Sequence, residues 1–147
     1  MKGLVQRVSK ASVEIDGREV SRIDAGILLF LGVEQGDGQN EAAELSRKVL
    51  TYRIFPDETG RMDRSLLDTG GALLVVPQFT LAADTTSGTR PGLSRAAAPE
   101  AAKNLYAQFL DLARISAGVE KVKEGRFGAD MKVSLVNDGP VTFMLSA

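Results

Sequence analysis

Two hydrophobic periods alternate along the chain. From Leu4 to Ile15 apolar and polar positions alternate loosely, with Val5, Arg7, Ala11, Val13 and Ile15 in phase, which predicts a long strand. Asp16-Gly17 is a hairpin signal, and the chain returns through Glu19 to Ile23. Gly26 to Val33 is an apolar run of the length of a buried strand. Gln35 to Gln39 is a glycine-rich loop. Asn40 then offers an N-cap, with Glu41 and Glu44 near the helix start and Arg47, Lys48 and Arg53 later, as the helix dipole favours. Leu45, Val49 and Tyr52 supply the inward stripe of that helix. Ile54-Phe55 before Pro56-Asp57-Glu58-Thr59-Gly60 predicts a short strand and a turn. After Gly70-Gly71, Ala72 to Phe79 predicts another buried strand, and Thr85 to Ser94 a polar loop. Pro99 suits the first position of a second helix that ends at Gly118, with Leu105, Phe109 and Leu112 facing the core. Val119 to Lys123, Ala129 to Asn137 and Val141 to Ser146 predict three more strands. The order βββαββαβββ specifies an α/β fold. One compact domain over residues 1–147 is expected, a mixed or antiparallel sheet with two helices packed on it.

Composition narrows the chemistry. Of the 147 residues 44% are hydrophobic and 25% charged, an ordinary globular balance. No apolar run reaches the roughly 18 residues that span a bilayer. The first residues lack the apolar stretch of a secretory signal, so the chain reads as soluble and cytosolic. There is no Cys and no His. Disulfides, thiol nucleophiles, the usual zinc sites and every Ser-His-Asp or Cys-His relay are excluded. An enzyme built on this sequence must use carboxylates, Lys, Tyr, backbone dipoles or a group on its own substrate. The net charge of −1 does not announce nucleic acid. RNA, if bound, should be gripped over a small part by a local patch, with modest salt dependence.

Two segments stand out. Pro77-Gln78-Phe79-Thr80-Leu81 lies at the end of a predicted strand, where sites gather. Read as residues alone it is a strand end with ordinary turn residues, in which Pro77 interrupts the ladder. Asn137-Asp138-Gly139-Pro140-Val141-Thr142 reads on composition as a hairpin turn, and its Gly-Pro bond is one that can be cis. Basic residues such as Lys2, Lys10, Arg90, Arg95, Lys121, Lys123 and Arg126 read as solvated surface. The loop from Thr85 to Arg95 holds two of them and no acid, so it could touch phosphates. Gly32 to Gly38 has neither the spacing nor the Lys-Ser/Thr ending of a phosphate loop.

Together these residues resemble the D-aminoacyl-tRNA deacylase family. Its Ser-Gln-Phe-Thr motif stands here as Pro77-Gln78-Phe79-Thr80, and its Asn-x-Gly-Pro-Val-Thr motif as Asn137-Asp138-Gly139-Pro140-Val141-Thr142. Flanking stretches are similar, among them Gln6-Arg7-Val8, Tyr52-Arg53-Ile54-Phe55 and Gly125-Arg126-Phe127. The likeness runs over essentially the whole chain, and the two motifs at this separation are highly specific. The resemblance implies a homodimer acting on the 3′ end of tRNA that carries a D-amino acid or glycine, with no cofactor, no metal and no membrane or DNA partner. Gln78, Phe79 and Thr80 would line the pocket for the terminal adenosine and the ester. Pro77 stands beside them, where the family has Ser. A cis Gly139–Pro140 bond would reach into the partner's site and select handedness, with Asn137 in the same motif and Arg7 orienting the loop.

A mechanism without His follows. Thr80 as nucleophile would need a base, and none is evident. The free 2′-hydroxyl of the terminal ribose can position or activate water if the ester is held rigidly. Backbone N–H groups of Phe79 and Thr80 would stabilise the oxyanion, and such donors survive the change to Pro77. The Gly139 and Pro140 carbonyls would bind the α-amino group and close off the direction of an L side chain. The competing reading is a non-catalytic tRNA-binding module.

Overall fold

The first strand, β1 (Lys2–Ile15), is the spine of the sheet. A computed structural model describes all 147 residues, Met1–Ala147. Asp16 and Gly17 both take positive φ, 52° and 75°, and reverse the chain as the tightest hairpin turn requires. β2 (Arg18–Ile23) and β3 (Gly26–Gly32) then run antiparallel to β1 one after the other, pairing with its second and first halves. β8 (Lys132–Ser146) pairs antiparallel with nearly the whole of β1. β6 (Ala72–Pro77) lies parallel to β3, and β7 (Val122–Glu124) parallel to β6, so the sheet is mixed. β4 (Phe55–Pro56) and β5 (Met62–Arg64) form a separate ribbon.

The two parallel pairings need crossovers, and α1 (Gln39–Thr51) and α3 (Pro99–Ala117) lie in them. Both helices cover one face. Ile27, Leu29, Leu73 and Val75 of the sheet bury there with Leu45 and Val49 of α1 and Leu105 and Phe109 of α3. The opposite face buries Leu28, Leu74 and Val76 with Val8, Ala11 and Val13, and the first half of β8 closes over them through Val133 and Leu135. β3 and β6 are therefore covered on both faces, which is why they read as unbroken apolar runs. No helix is long and apolar enough to cross a membrane.

Several expectations shift. A third helix, the single turn α2 (Leu66–Thr69), was marked by Ser65-Leu66-Leu67-Asp68, where Ser65 and Asp68 cap each other. α1 starts at Gln39 with Gly38 as N-cap, not Asn40, because the Glu41 carboxylate accepts from the Gly38 N–H at 2.8 Å. Tyr52 falls one residue past that helix and is exposed. A register shift between Val8 and Lys10 puts Val8, Ala11 and Val13 on one face while Val5 buries on the other, so Val5 and Arg7 both leave the phase of Ala11 and Val13. β6 stops at Pro77, β7 starts only at Val122, and the last two predicted strands are the single strand β8.

One close approach links fold to site. A Cβ on Gly32 would stand 2.9 Å from the Leu81 Cβ and 3.0 Å from the Gln78 carbonyl oxygen. Only glycine lets the chain after β6 lie on the end of β3. Gly32→Ala should destabilise the protein by about 1–3 kcal/mol, as overpacking does. A urea titration checks this, and an unmoved midpoint would show that the contact is slack.

Candidate active site

Pro77 is the last residue of β6 and stands opposite Leu31 of β3. The Gln78 N–H donates to the Leu31 carbonyl at 2.8 Å, whereas the Leu73 N–H donates the other way, to Lys121 at 2.8 Å. Position 77 shares the phase of Leu73, and β7 has ended at Glu124, so proline removes no ladder bond. Phe79–Ala82 then forms one turn of 3-10 helix with no side-chain cap. The Leu81 N–H donates to Gln78 O at 3.2 Å. The first N–H groups of a helical turn have no acceptor inside it, and here Phe79 and Thr80 carry them. The Thr80 hydroxyl accepts from Gln78 Nε2 at 2.6 Å. Its partner is thus an amide and not a base.

This segment edges a cleft of about 490 Å³, whose other walls include Pro99 and Ala102 of α3, Phe127 and Met131 from the connection before β8, and Val133 of β8. Phe79 is 56% exposed. The Phe127 ring leans on Tyr106, with centroids 6.1 Å apart and planes at 53°. Burial, chiefly, pushes the Tyr106 hydroxyl well above its ordinary value, and it donates to the Val75 carbonyl at 2.9 Å. It is a fixed neutral support beneath the cleft. Sequence reasoning marked Phe127 only as part of a similar flank and missed Met131. The sequence placed Met131 in a predicted strand, and nothing in its spacing singled it out as a cleft residue.

The second segment is not a hairpin. Asn137 stands opposite Val8 and Thr142 opposite Gln6. β1 advances two residues there while β8 advances five. Asp138 to Val141 are extruded opposite Arg7, and β8 continues in the same direction. Arg7 Nε donates to the Asp138 carbonyl at 3.0 Å and a terminal guanidinium nitrogen donates to the Ile54 carbonyl at 2.7 Å. Asn137 clamps the base: its Oδ1 accepts from the Val141 N–H at 2.8 Å and its Nδ2 donates to the Thr142 hydroxyl at 2.9 Å. The Gly139–Pro140 peptide is cis, and both residues are exposed.

Within one chain the two segments stay apart. Pro77 faces Leu31, which faces Gly3, while the bulge faces Arg7 across the far side of β1. The path is three strand spacings across, about 14 Å, and four residues along, about 13 Å. The cleft contains neither Gly139 nor Pro140. Arg95 of the polar loop is paired with Asp84 at 3.4 Å. Asp84, whose carboxyl is held below its usual range mainly by the Thr86 hydroxyl, closes the neck of that loop through paired bonds with Gly92. The acid that pairs with Arg95 thus stands just before the loop, which itself holds none. No group of three or more acidic side chains could hold a metal ion.

Comparison with known proteins matches residues 4–146 to the family described as D-Tyr-tRNA(Tyr) deacylase. The D-aminoacyl-tRNA deacylase of Marinobacter nauticus is 63% identical over 147 residues, covering 100% of this chain and 94% of that one. The protein of the same name in Shewanella denitrificans is 57% identical, covering 99% of each. The solved structure titled c-Myc DNA Unwinding Element Binding Protein superposes with a TM-score of 0.96 at 40% identity, covering 100% of this chain and 99% of that one.

Arg7 holds two main-chain carbonyls from a side chain only 13% exposed. Arg7→Ala should cost about 1.5–3 kcal/mol, the range for hydrogen bonds to a charged group. It should also speed hydrogen exchange at the Val141 amide. Unchanged exchange there would mean that Asn137 holds the bulge unaided.

Proposed function

The chain belongs to the D-Tyr-tRNA(Tyr) deacylase family, and from that membership and the geometry above we propose how its two segments act on D-aminoacyl-tRNA. It is a hydrolase of aminoacyl-tRNA. We read residues 1–147 as one deacylase domain that serves translation quality control in the cytoplasm. Water adds to the ester carbonyl, the carbon–oxygen bond to the ribose breaks, and a free D-amino acid and a free tRNA end leave.

The cleft takes the terminal adenosine and the ester. Phe79 and Phe127 offer aromatic faces to the base. The N–H groups of Phe79 and Thr80 meet the oxyanion, and one such donor is worth about 3 kcal/mol. The observation that carries this reading is the Thr80 hydroxyl bound to the Gln78 amide instead of to a base, in a chain without His. The ribose 2′-hydroxyl positions or activates the water.

Handedness is read by main chain from a second copy. The exposed bulge and its distance from the cleft of its own chain support a homodimer in which each Gly139–Pro140 enters the partner's cleft. Their carbonyls accept from the α-ammonium and block the direction of an L side chain, while Pro77 and Asn137 shape and hold the two surfaces. Glycine has nothing to exclude, so glycyl-tRNA is also cleaved.

Matched D- and L-tyrosyl-tRNA should be consumed at widely different rates, the D form faster. Equal consumption by clean enzyme would overturn the filter. Tight tRNA binding with neither ester cleaved would favour a binding module, a reading to which the DNA-binding name of the solved relative gives some weight. Replacing the terminal 2′-hydroxyl by hydrogen should nearly abolish turnover. Thr80→Ala should retain single-turnover hydrolysis, and an acyl group trapped on Thr80 would contradict that.

A further inference from the structure

A second groove, about 380 Å³, continues from the cleft past Phe127 along the outer edge of β7. Its floor is Tyr106 and Leu110 of α3, and β2 closes the far side, where the Ser21 hydroxyl donates to the Glu124 carbonyl. Two cations, Lys103 on α3 and Arg126 after β7, stand in it, and Lys121 and Lys123, just before and within β7, are exposed. None of the four lies within ion-pair distance of a carboxylate. The acid present, Glu124, is already held by Arg114 at 3.0 Å. Most other cations around the sheet are paired, as Lys2 is with Glu34, Arg7 with Asp138 and Arg95 with Asp84. A protein of net charge −1 has thus left a local run of free positive charge at one mouth of its cleft.

We propose that this groove takes the phosphates of the nucleotides that precede the terminal adenosine, with Lys103 and Arg126 as their contacts. The inference rests on the deacylase reading of the cleft. That cleft has the size of a small-molecule site, about 300–1,000 Å³, so it takes the terminal nucleoside and its ester and the rest of the RNA must leave through an opening. The opening toward Phe127 offers free cations, an apolar floor for the sugars and no unpaired acid. The contacts are to backbone phosphate, so they position any tRNA and read no sequence.

The test compares two substrates of one ester: D-tyrosyl-tRNA and the D-tyrosyl ester of adenosine, which ends before the groove. In K103Q/R126Q the loss should be confined to the tRNA. Its plot of log kcat/KM against log salt should become shallower by about 1.4, from about 0.7 per single-strand phosphate contact. K103R/R126K should keep the wild-type slope. An unchanged slope in K103Q/R126Q would overturn the proposal. So would an equal loss on the adenosine ester, since the two residues would then be acting through the shape of the cleft. If the wild-type protein leaves both D-tyrosyl substrates intact, the deacylase reading itself fails and the groove falls with it.

Discussion

A mismatch in register between two paired strands is the constraint on which the rest depends. β8 spends three more residues than β1 in passing Arg7, and the surplus has to leave the sheet. An exposed bulge of main chain is ordinarily loose. Here the guanidinium of Arg7, itself tied to Ile54, fixes the carbonyl of Asp138, and Asn137 closes the loop from the other end. The result is a short, firm protrusion of Gly139 and Pro140 with little side chain to mask its carbonyls. Under the proposed reading, a surface of that kind would sense the placement of an ammonium and a substituent around one carbon, whatever the substituent is.

The same preference for main chain runs through the proposed chemistry. A sequence without His or Cys has no neutral-pH base and no soft nucleophile. The turn that follows β6 supplies N–H dipoles instead, set at the cleft by the close fit of Gln78 and Leu81 over Gly32. Dipoles fixed before the substrate arrives need no reorganisation during the reaction. They are also insensitive to side-chain identity, which accounts for proline at position 77, where the N–H lost is one the ladder does not use.

The strands were legible wherever burial was simple. β3 and β6, covered on both faces, announced themselves as apolar runs, and Pro99 and Gly118 bracketed α3 correctly. What failed was local geometry set by partners distant in sequence. The Asn137–Pro140 stretch has the composition of a hairpin turn, and only its pairing with β1 on both sides shows a bulge. Asn40 lost the cap of α1 to Gly38 because the Glu41 carboxylate reaches back over three residues. Of the site, the two motifs were legible as a family likeness, while Met131 reaches the cleft only through the folding of β8 over the second face, which no spacing records.

If one copy's bulge completes the cleft of another, as proposed, mixing of two damaged copies tests this most directly. One copy carries Phe79→Pro, which deletes an oxyanion donor at a first-turn position that tolerates proline; the other carries Gly139→Trp, which blocks the bulge. Each should be inactive alone on D-tyrosyl-tRNA. Random pairing of the two in a two-fold dimer leaves one intact composite site in half of the dimers, so activity should return to about one quarter of wild type. A mixture as inactive as its components would contradict the shared site.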